Sequence, residues 1–189
     1  MKRLFTAALI GFITVLVLQA AGTKKKIENF TLSDYNNVQH SLTDCNPSKA
    51  IVLMFIATQC PVSNAYNERM VQLYKDYTSK GVAFIGINSN KQEGIDEIKE
   101  HAQEHGFLFP ILKDNNNTIA DKLGASVTPE IFVLNTKFEI LYHGRIDDSK
   151  KEAKVSSNDL RTALDAILTG KPVENTETKA FGCSIKRVK

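Results

Sequence analysis

The sequence predicts an α/β fold in which a central mixed sheet is flanked by helices. Residues 50–57 form an unbroken apolar run rich in β-branched and aromatic side chains, which is typical of a strand buried on both faces. Residues 82–87 form a second run of this kind. Apolar residues at helical spacing lie between the two runs: Tyr66, Met70, Leu73 and Tyr77. The order strand, helix, strand predicts parallel strands joined by a right-handed crossover.

The sequence pattern at the start of the domain predicts an N-terminal β-hairpin extension. Residues 27–42 contain two short strand-like segments separated by the turn-forming residues 33–37. A loop over residues 43–49 then leads into the central strand and carries Cys45. We interpret Cys45 as an incidental thiol, exposed or half-packed, rather than a catalytic one.

The second half of the chain continues the alternation of helices and strands. Residues 107–112 contain Pro110, which favours an irregular or edge segment over a central strand. The other predicted elements are a helix over residues 94–105, a short helix over 118–123, a hairpin of strands 131–134 and 139–142, and a helix from Ser157 or Asn158 to Leu168.

Length and charge limit the classes of function. A chain of 189 residues with 42% hydrophobic residues suits a single domain with a sizeable core. The net charge is only +3, and no stripe of Lys and Arg interleaved with aromatic residues is present in the sequence. This composition argues against nucleic-acid binding.

The N-terminal residues predict export. Lys2 and Arg3 precede an apolar segment over residues 4–18, and the small residues 20–22 offer a cleavage site, so residues 1–22 read as a signal peptide. An uncleaved membrane anchor is the alternative, because the segment approaches the roughly 20 residues of a membrane span and lysines follow it. Either interpretation places the domain, residues 27–170, and its tail, residues 171–189, in the periplasm or outside the cell.

Cysteine usage points to a reactive thiol at Cys60. The chain has three cysteines, Cys45, Cys60 and Cys183, without a Cys-x-x-Cys pair or the spacing of a zinc site. Cys60 lies where the buried strand ends, and Pro61 suits the first position of a helix. Free N–H groups at a helix N-terminus favour a thiolate and lower the pKa below about 8.5. The alternative is an inert cysteine of the core.

Several motifs together resemble the thioredoxin-like superfamily, in its redoxin branch of exported thiol–disulfide and AhpC/TSA-type proteins. The motifs are Phe30-Thr31-Leu32-Ser33-Asp34, Cys60-Pro61-Val62-Ser63, Thr128-Pro129, the run Tyr142-His143-Gly144-Arg145-Ile146-Asp147-Asp148, and Gly182-Cys183-Ser184-Ile185-Lys186. The resemblance covers residues 27–187 and implies a thioredoxin-like fold. It also implies that Cys60 is the attacking thiol and that Pro129 is cis, with the Thr128 backbone beside Cys60 ready to bind an extended chain.

The sequence departs from the family that it resembles at two places. Ser63 stands where thioredoxin-like reductants have the second cysteine of Cys-x-x-Cys, and a hydroxyl cannot resolve a mixed disulfide. Leu53 and Ala57 stand where the peroxiredoxin signature has Pro and Thr. Cys183 is therefore the candidate resolving thiol, in a tail that we expect to be flexible. A free tail cysteine and a static staple are the alternatives.

Other polar residues have two interpretations each. Glu130 adjoins Pro129, so it either handles the thiol proton with a raised pKa or faces solvent. Arg145 either stabilises a thiolate or sulfenate, or pairs with Asp147. His101 and His105 are spaced for a metal pair, but a charged helix favours a solvated face. No metal or cofactor is predicted.

The function predicted first is an exported thiol–disulfide oxidoreductase that uses Cys60, with Cys183 or an external thiol resolving the intermediate. Its partners would be a protein or small-molecule disulfide or a peroxide, and an external thiol reductant. A thiol-dependent peroxidase of AhpC/TSA type is one alternative. A thioredoxin-fold module that binds extended segments without turnover is the other.

Overall fold

The computed structural model describes residues 25–188, so the predicted signal segment lies outside the described residues. The elements are β1 (Thr31–Ser33), β2 (Gln39–Ser41), β3 (Ala50–Phe55), α1 (Pro61–Asn64), α2 (Asn67–Tyr77), β4 (Val82–Asn88), α3 (Ile95–Glu104), β5 (Ile111–Lys113), α4 (Thr118–Leu123), β6 (Val127–Thr128), β7 (Glu130–Leu134), β8 (Ile140–Gly144), α5 (Asp159–Leu168) and β9 (Cys183–Ser184). Between residues 25 and 188, no helix has both the length and the apolar character needed to cross a bilayer.

A five-stranded mixed sheet in the order β5-β4-β3-β7-β8 forms the centre of the fold. Strand β3 pairs in parallel with β4 and antiparallel with β7, and all six of its residues are buried. Its alternate side chains pack into two cores, one with α2, α3 and α5, the other with α4 and the N-terminal hairpin β1-β2. The predicted mixed sheet, flanking helices and N-terminal hairpin are confirmed.

The helix after Cys60 differs from its prediction because it is broken. Helix α1 is a single turn, and α2 begins after an interruption at Ala65 and Tyr66. At the interruption, Tyr66 is 1% exposed, and its hydroxyl donates to Asp147 Oδ1 at 2.9 Å. Cys60 therefore precedes one helical turn rather than a long helix, and local hydrogen bonds matter more for its chemistry than a helix dipole.

The C-terminal tail is held along the domain instead of being flexible. Its residues 176–178 run beside β8, where His143 N donates to Thr176 O and Thr178 N donates to His143 O, both at 2.9 Å. The tail then continues to β6, with which β9 pairs antiparallel. Backbone pairing between segments far apart in sequence leaves no periodic signal, which is why the tail looked irregular.

Candidate active site

Cys60 lies at the N-cap of α1, directly after the central strand, and is 3% exposed. Its Sγ accepts a hydrogen bond from Ser63 N at 3.3 Å and, as a thiol, donates to Thr128 O at 3.3 Å. The Thr128–Pro129 peptide bond is cis. These contacts bring the end of β3, the first turn of α1 and the end of β6 together around one sulfur.

Cys183 lies against Cys60 because of the pairing between β9 and β6. Thr128 is the pairing partner of Cys183 in that ladder, and the same Thr128 contacts Cys60. Cys183 thereby lies close enough to Cys60 for each thiol to shift the pKa of the other. Both cysteines are free thiols, Cys60 buried and Cys183 half-buried.

The surroundings favour a thiolate on Cys60 rather than on Cys183. Burial opposes ionisation of Cys60, but the neighbouring Cys183 thiol and the hydrogen bond from Ser63 N–H outweigh it, so the pKa of Cys60 is below its ordinary value. Within residues 25–188 the buried Thr128 Oγ1 has no hydrogen-bond partner. The adjacent Cys60 sulfur raises the pKa of Cys183, and burial adds to this.

Ser63 occupies the position of the missing second cysteine and has a structural contact. It is fully buried, and its Oγ accepts a hydrogen bond from Ala57 N at 3.2 Å. Pro61 takes the first position of α1, as its missing N–H allows. These residues hold the turn around Cys60 in place.

Both interpretations of Glu130 were wrong. Glu130 is 4% exposed, so it does not face solvent. Burial raises its pKa, but hydrogen bonds from His143 Nε2 at 2.6 Å and from the N–H groups of Ser126 and Val127 bring the pKa below 4.5. A carboxylate this stable is a poor proton acceptor near neutral pH. It holds the turn that leads into Thr128 instead.

Glu130→Gln is expected to make the free energy of unfolding depend less on pH in the acid range. Because the pKa of Glu130 is lowered by folding, its stabilisation is present above 4.5 and is lost as pH falls through the folded-state pKa. The variant should lose about 1–3 kcal/mol at pH 7, since Gln leaves part of these buried groups unpaired. Urea unfolding followed by circular dichroism at neutral and acid pH measures this. Parallel pH curves for both proteins would contradict it.

The pairing predicted between Arg145 and Asp147 was also wrong. Arg145 Nε donates to Asp159 Oδ2 at 2.7 Å. Asp147 instead accepts from Arg69 Nη1 at 2.5 Å and from the Tyr66 hydroxyl. Both arginines thus join the segment after β8 to a helix.

Sequence reasoning missed a buried carboxylate behind the Cys60 loop. Glu93 is 1% exposed and accepts hydrogen bonds from Thr58 N at 2.9 Å and Gln59 N at 3.2 Å, the two residues before Cys60. Its other donors are the side-chain amides of Asn88 and Asn90. The signal in the sequence is the polar run of residues 88–90, directly after a buried strand.

The remaining candidates stay outside the site. Cys45 is half-buried at the end of a 3-10 turn, where burial and the nearby Asp44 raise its pKa. The rings of His101 and His105 are 4.4 Å apart and half-buried near Phe107, not on a fully solvated face. The described part of the chain contains no group of three His, Cys, Asp or Glu side chains that could hold a metal ion.

Comparison with known proteins gives curated relatives of one kind. A thiol-disulfide oxidoreductase ResA from Geobacillus thermodenitrificans is 27% identical over 107 residues, which are 57% of this chain and 60% of the relative. The chain therefore spans about three fifths of that relative's length.

Two solved structures resemble the whole domain. A hypothetical protein from Sinorhizobium meliloti superposes with a TM-score of 0.82 and 30% identity, covering 90% of this chain and 97% of the other. An uncharacterized conserved protein from Geobacillus kaustophilus gives 0.80 and 33%, covering 86% and 90%. The fold is thioredoxin-like. Because the AhpC/TSA family model also matches residues 23–149, the chain belongs to the AhpC/TSA family, within the redoxin branch of the thioredoxin-like superfamily.

Proposed function

We propose that the protein is a thiol–disulfide oxidoreductase in which Cys60 and Cys183 alternate between two thiols and one disulfide. The observation that supports this most is the pairing of β9 with β6, with Thr128 opposite Cys183 and in contact with Cys60. Curated relatives that carry the name thiol-disulfide oxidoreductase support the same class of reaction. Ser63 offers no second thiol in the first turn of α1, so Cys183 takes over that role.

The first step of the proposed reaction is attack by the Cys60 thiolate on a substrate disulfide. A bond forms between Cys60 Sγ and one substrate sulfur, and the other substrate sulfur leaves as a thiolate that takes up the proton Cys60 has lost. The lowered pKa of Cys60 provides the thiolate. Because Cys60 is 3% exposed, the β9 strand must move aside for this step.

In the second step, Cys183 attacks Cys60 Sγ and expels the remaining substrate sulfur, which takes the Cys183 proton. The product is a Cys60–Cys183 disulfide and a fully reduced substrate. An external thiol reductant, either one dithiol or two monothiols, then returns two electrons and two protons and is itself oxidised to a disulfide. It attacks Cys183, the more exposed sulfur, because Cys60 with its lowered pKa is the better leaving group.

A peroxidase is the second candidate because the AhpC/TSA family model matches the chain. The Cys60 thiolate would attack a peroxide oxygen and become a sulfenic acid, with the other oxygen leaving as water or an alcohol. Cys183 would then condense with the sulfenic acid and release water. Both candidates end in the same disulfide, so the oxidant distinguishes them.

We also propose that the protein works after export, on the basis of residues 1–22. In that compartment disulfides form and persist, which suits a chain whose reaction needs them.

The test is non-reducing peptide mass spectrometry of the full chain, expressed with its N-terminal segment and purified from the cell envelope. Exposure to glutathione disulfide is expected to give a Cys60–Cys183 link that dithiothreitol removes, while Cys45 stays alkylatable. Alkylation across about pH 4 to 9 should reach half its maximal rate at lower pH for Cys60 than for Cys45, since only thiolates react.

The same experiment can also contradict the proposed function. A Cys60 that never pairs, with a pH midpoint equal to that of Cys45, would contradict the redox proposal and favour a binding module. Disulfide formation with hydrogen peroxide but not with glutathione disulfide would favour the peroxidase. The mass of the mature N-terminus reports whether residues 1–22 have been removed.

A further inference from the structure

The tail segment formed by residues 182–188 occupies a groove that is built to hold an extended backbone. On one side of the groove, Ile185 N donates to Ser126 O at 3.0 Å, next to the ladder between β9 and β6. Further along, Lys186 N donates to Asn90 Oδ1 and Val188 N donates to Asn117 Oδ1, both at 2.7 Å. The groove therefore follows the tail backbone over several residues.

The two asparagines of the groove are fixed in advance. Asn90 is 5% and Asn117 is 2% exposed. Asn90 Nδ2 donates to Glu93 Oε1 at 2.9 Å, and Asn117 Nδ2 donates to Ser89 O. With each amide nitrogen bonded inside the protein, each amide oxygen points at the tail. Such contacts recognise a main chain and do not depend on its side chains.

Side-chain selection comes from three other positions of the tail. A Cβ on Gly182 would lie 1.9 Å from Thr128 O, so only glycine fits beside the active-site turn. Ile185 is 7% exposed and packs into the core on the α4 side of the sheet. Arg187 donates to Asp121 and to Ala125 O. Ser184 and Lys186 are exposed, so the groove does not select the side chains at these two positions.

We propose that this groove is the substrate-binding site for extended, cysteine-bearing segments of other polypeptides with the pattern Gly-Cys-x-aliphatic-x-basic, and that the tail is its resting occupant. The inference rests on the proposed function, because an external disulfide reaches Cys60 only when the tail leaves. A substrate segment that replaces the tail meets the same Thr128 edge and asparagine oxygens. Its cysteine then takes the place of Cys183, against Cys60, until the tail returns for the second step.

The test uses full-length protein and a fluorescent peptide with the sequence of residues 181–188, carrying Cys183→Ser so that only reversible binding is measured. In the wild-type protein the tethered tail competes at an effective concentration of about millimolar. Gly182→Ala in the protein expels the tail, and anisotropy should then show peptide affinity at least about tenfold higher than for wild type. Gly94→Ala is the control, since its Cβ meets no atom within 4 Å.

Two further arms complete the test. A second peptide that also carries Gly182→Ala is expected not to bind, and adding Asn117→Ala to the Gly182→Ala protein should weaken binding of the first peptide. Equal affinity of wild type and Gly182→Ala for the peptide, or equal binding of both peptides, would overturn the proposal. Because the peptides lack cysteine, failure here is separate from failure of the Cys60–Cys183 chemistry.

The sedimentation behaviour of the wild-type protein identifies the occupant. A monomer at all concentrations is expected. A concentration-dependent dimer that disappears in Gly182→Ala would assign the groove to the tail of a second copy and would overturn the assignment to other polypeptides.

Discussion

Cys183→Ser is expected to stop turnover while leaving one round of covalent capture by Cys60. In this variant the Cys60 thiolate still attacks a substrate disulfide, but no neighbouring thiol resolves the product. The mixed disulfide should therefore accumulate. Cys60→Ser should lose both capture and turnover, because a serine hydroxyl is not ionised near neutral pH and does not exchange with disulfides.

Reduction of a protein disulfide in the presence of an external thiol measures turnover, and intact mass measures capture. Catalysis should fall to the rate without protein in both variants, and only Cys183→Ser should gain the mass of one substrate half. Cys45→Ser is the matched control, because Cys45 lies in a separate turn before β3. It should keep wild-type turnover.

Two outcomes would contradict the roles assigned to Cys60 and Cys183. Full turnover by Cys183→Ser would mean that an external thiol resolves the intermediate, and that Cys183 is a static tail residue. Capture by Cys60→Ser through Cys183 would reverse their roles, against the lowered pKa of Cys60 and the raised pKa of Cys183.

The sequence predicted the framework well because the framework rests on local patterns. The run that became β3 is buried along its whole length, and the short helix over residues 118–123 begins and ends as predicted. Local capping and turn signals determine such boundaries. Residues 107–112 were assigned to an edge or irregular segment, and β5, at residues 111–113, is an edge strand.

The parts that sequence reasoning missed depend on contacts between distant segments. The ladder between β6 and β9 joins residues more than fifty positions apart. Each strand contributes only two residues, so no periodic pattern in the sequence predicts the ladder. Glu130 looked like a surface or proton-handling residue because its partner His143 is brought beside it only by the pairing of β7 with β8. Amino-acid composition does not predict which carboxylates are buried in the folded protein.

The tail and the buried polar residues behind Cys60 belong to one arrangement. Glu93 accepts from the backbone before Cys60 and from Asn90, while Asn90 accepts from the tail at Lys186. Lys113 donates to Asn90 O at 2.6 Å and to Glu93 O at 2.7 Å. The Glu93 carboxylate therefore helps both to position Cys60 and to hold the tail strand beside it.

Glu93→Ala is accordingly expected to lower the free energy of unfolding by about 3–5 kcal/mol. The substitution removes the acceptor for the N–H groups of Thr58 and Gln59 and for two side-chain amides. It also takes a negative charge from the buried Lys113 ammonium, whose pKa is already lowered by desolvation. Buried donors without acceptors cost more than the hydrogen bonds themselves contribute.

Urea unfolding followed by far-ultraviolet circular dichroism measures the effect, and Glu100→Ala is the control. Glu100 is exposed on α3, so its removal should change stability by less than about 0.5 kcal/mol. Glu93→Gln keeps one acceptor oxygen and should fall between the two. The Cys60 turn should also loosen in Glu93→Ala, with faster alkylation of Cys60 at a fixed pH. A Glu93→Ala protein as stable as Glu100→Ala would mean that water replaces the carboxylate and that the Cys60 loop holds its position without it.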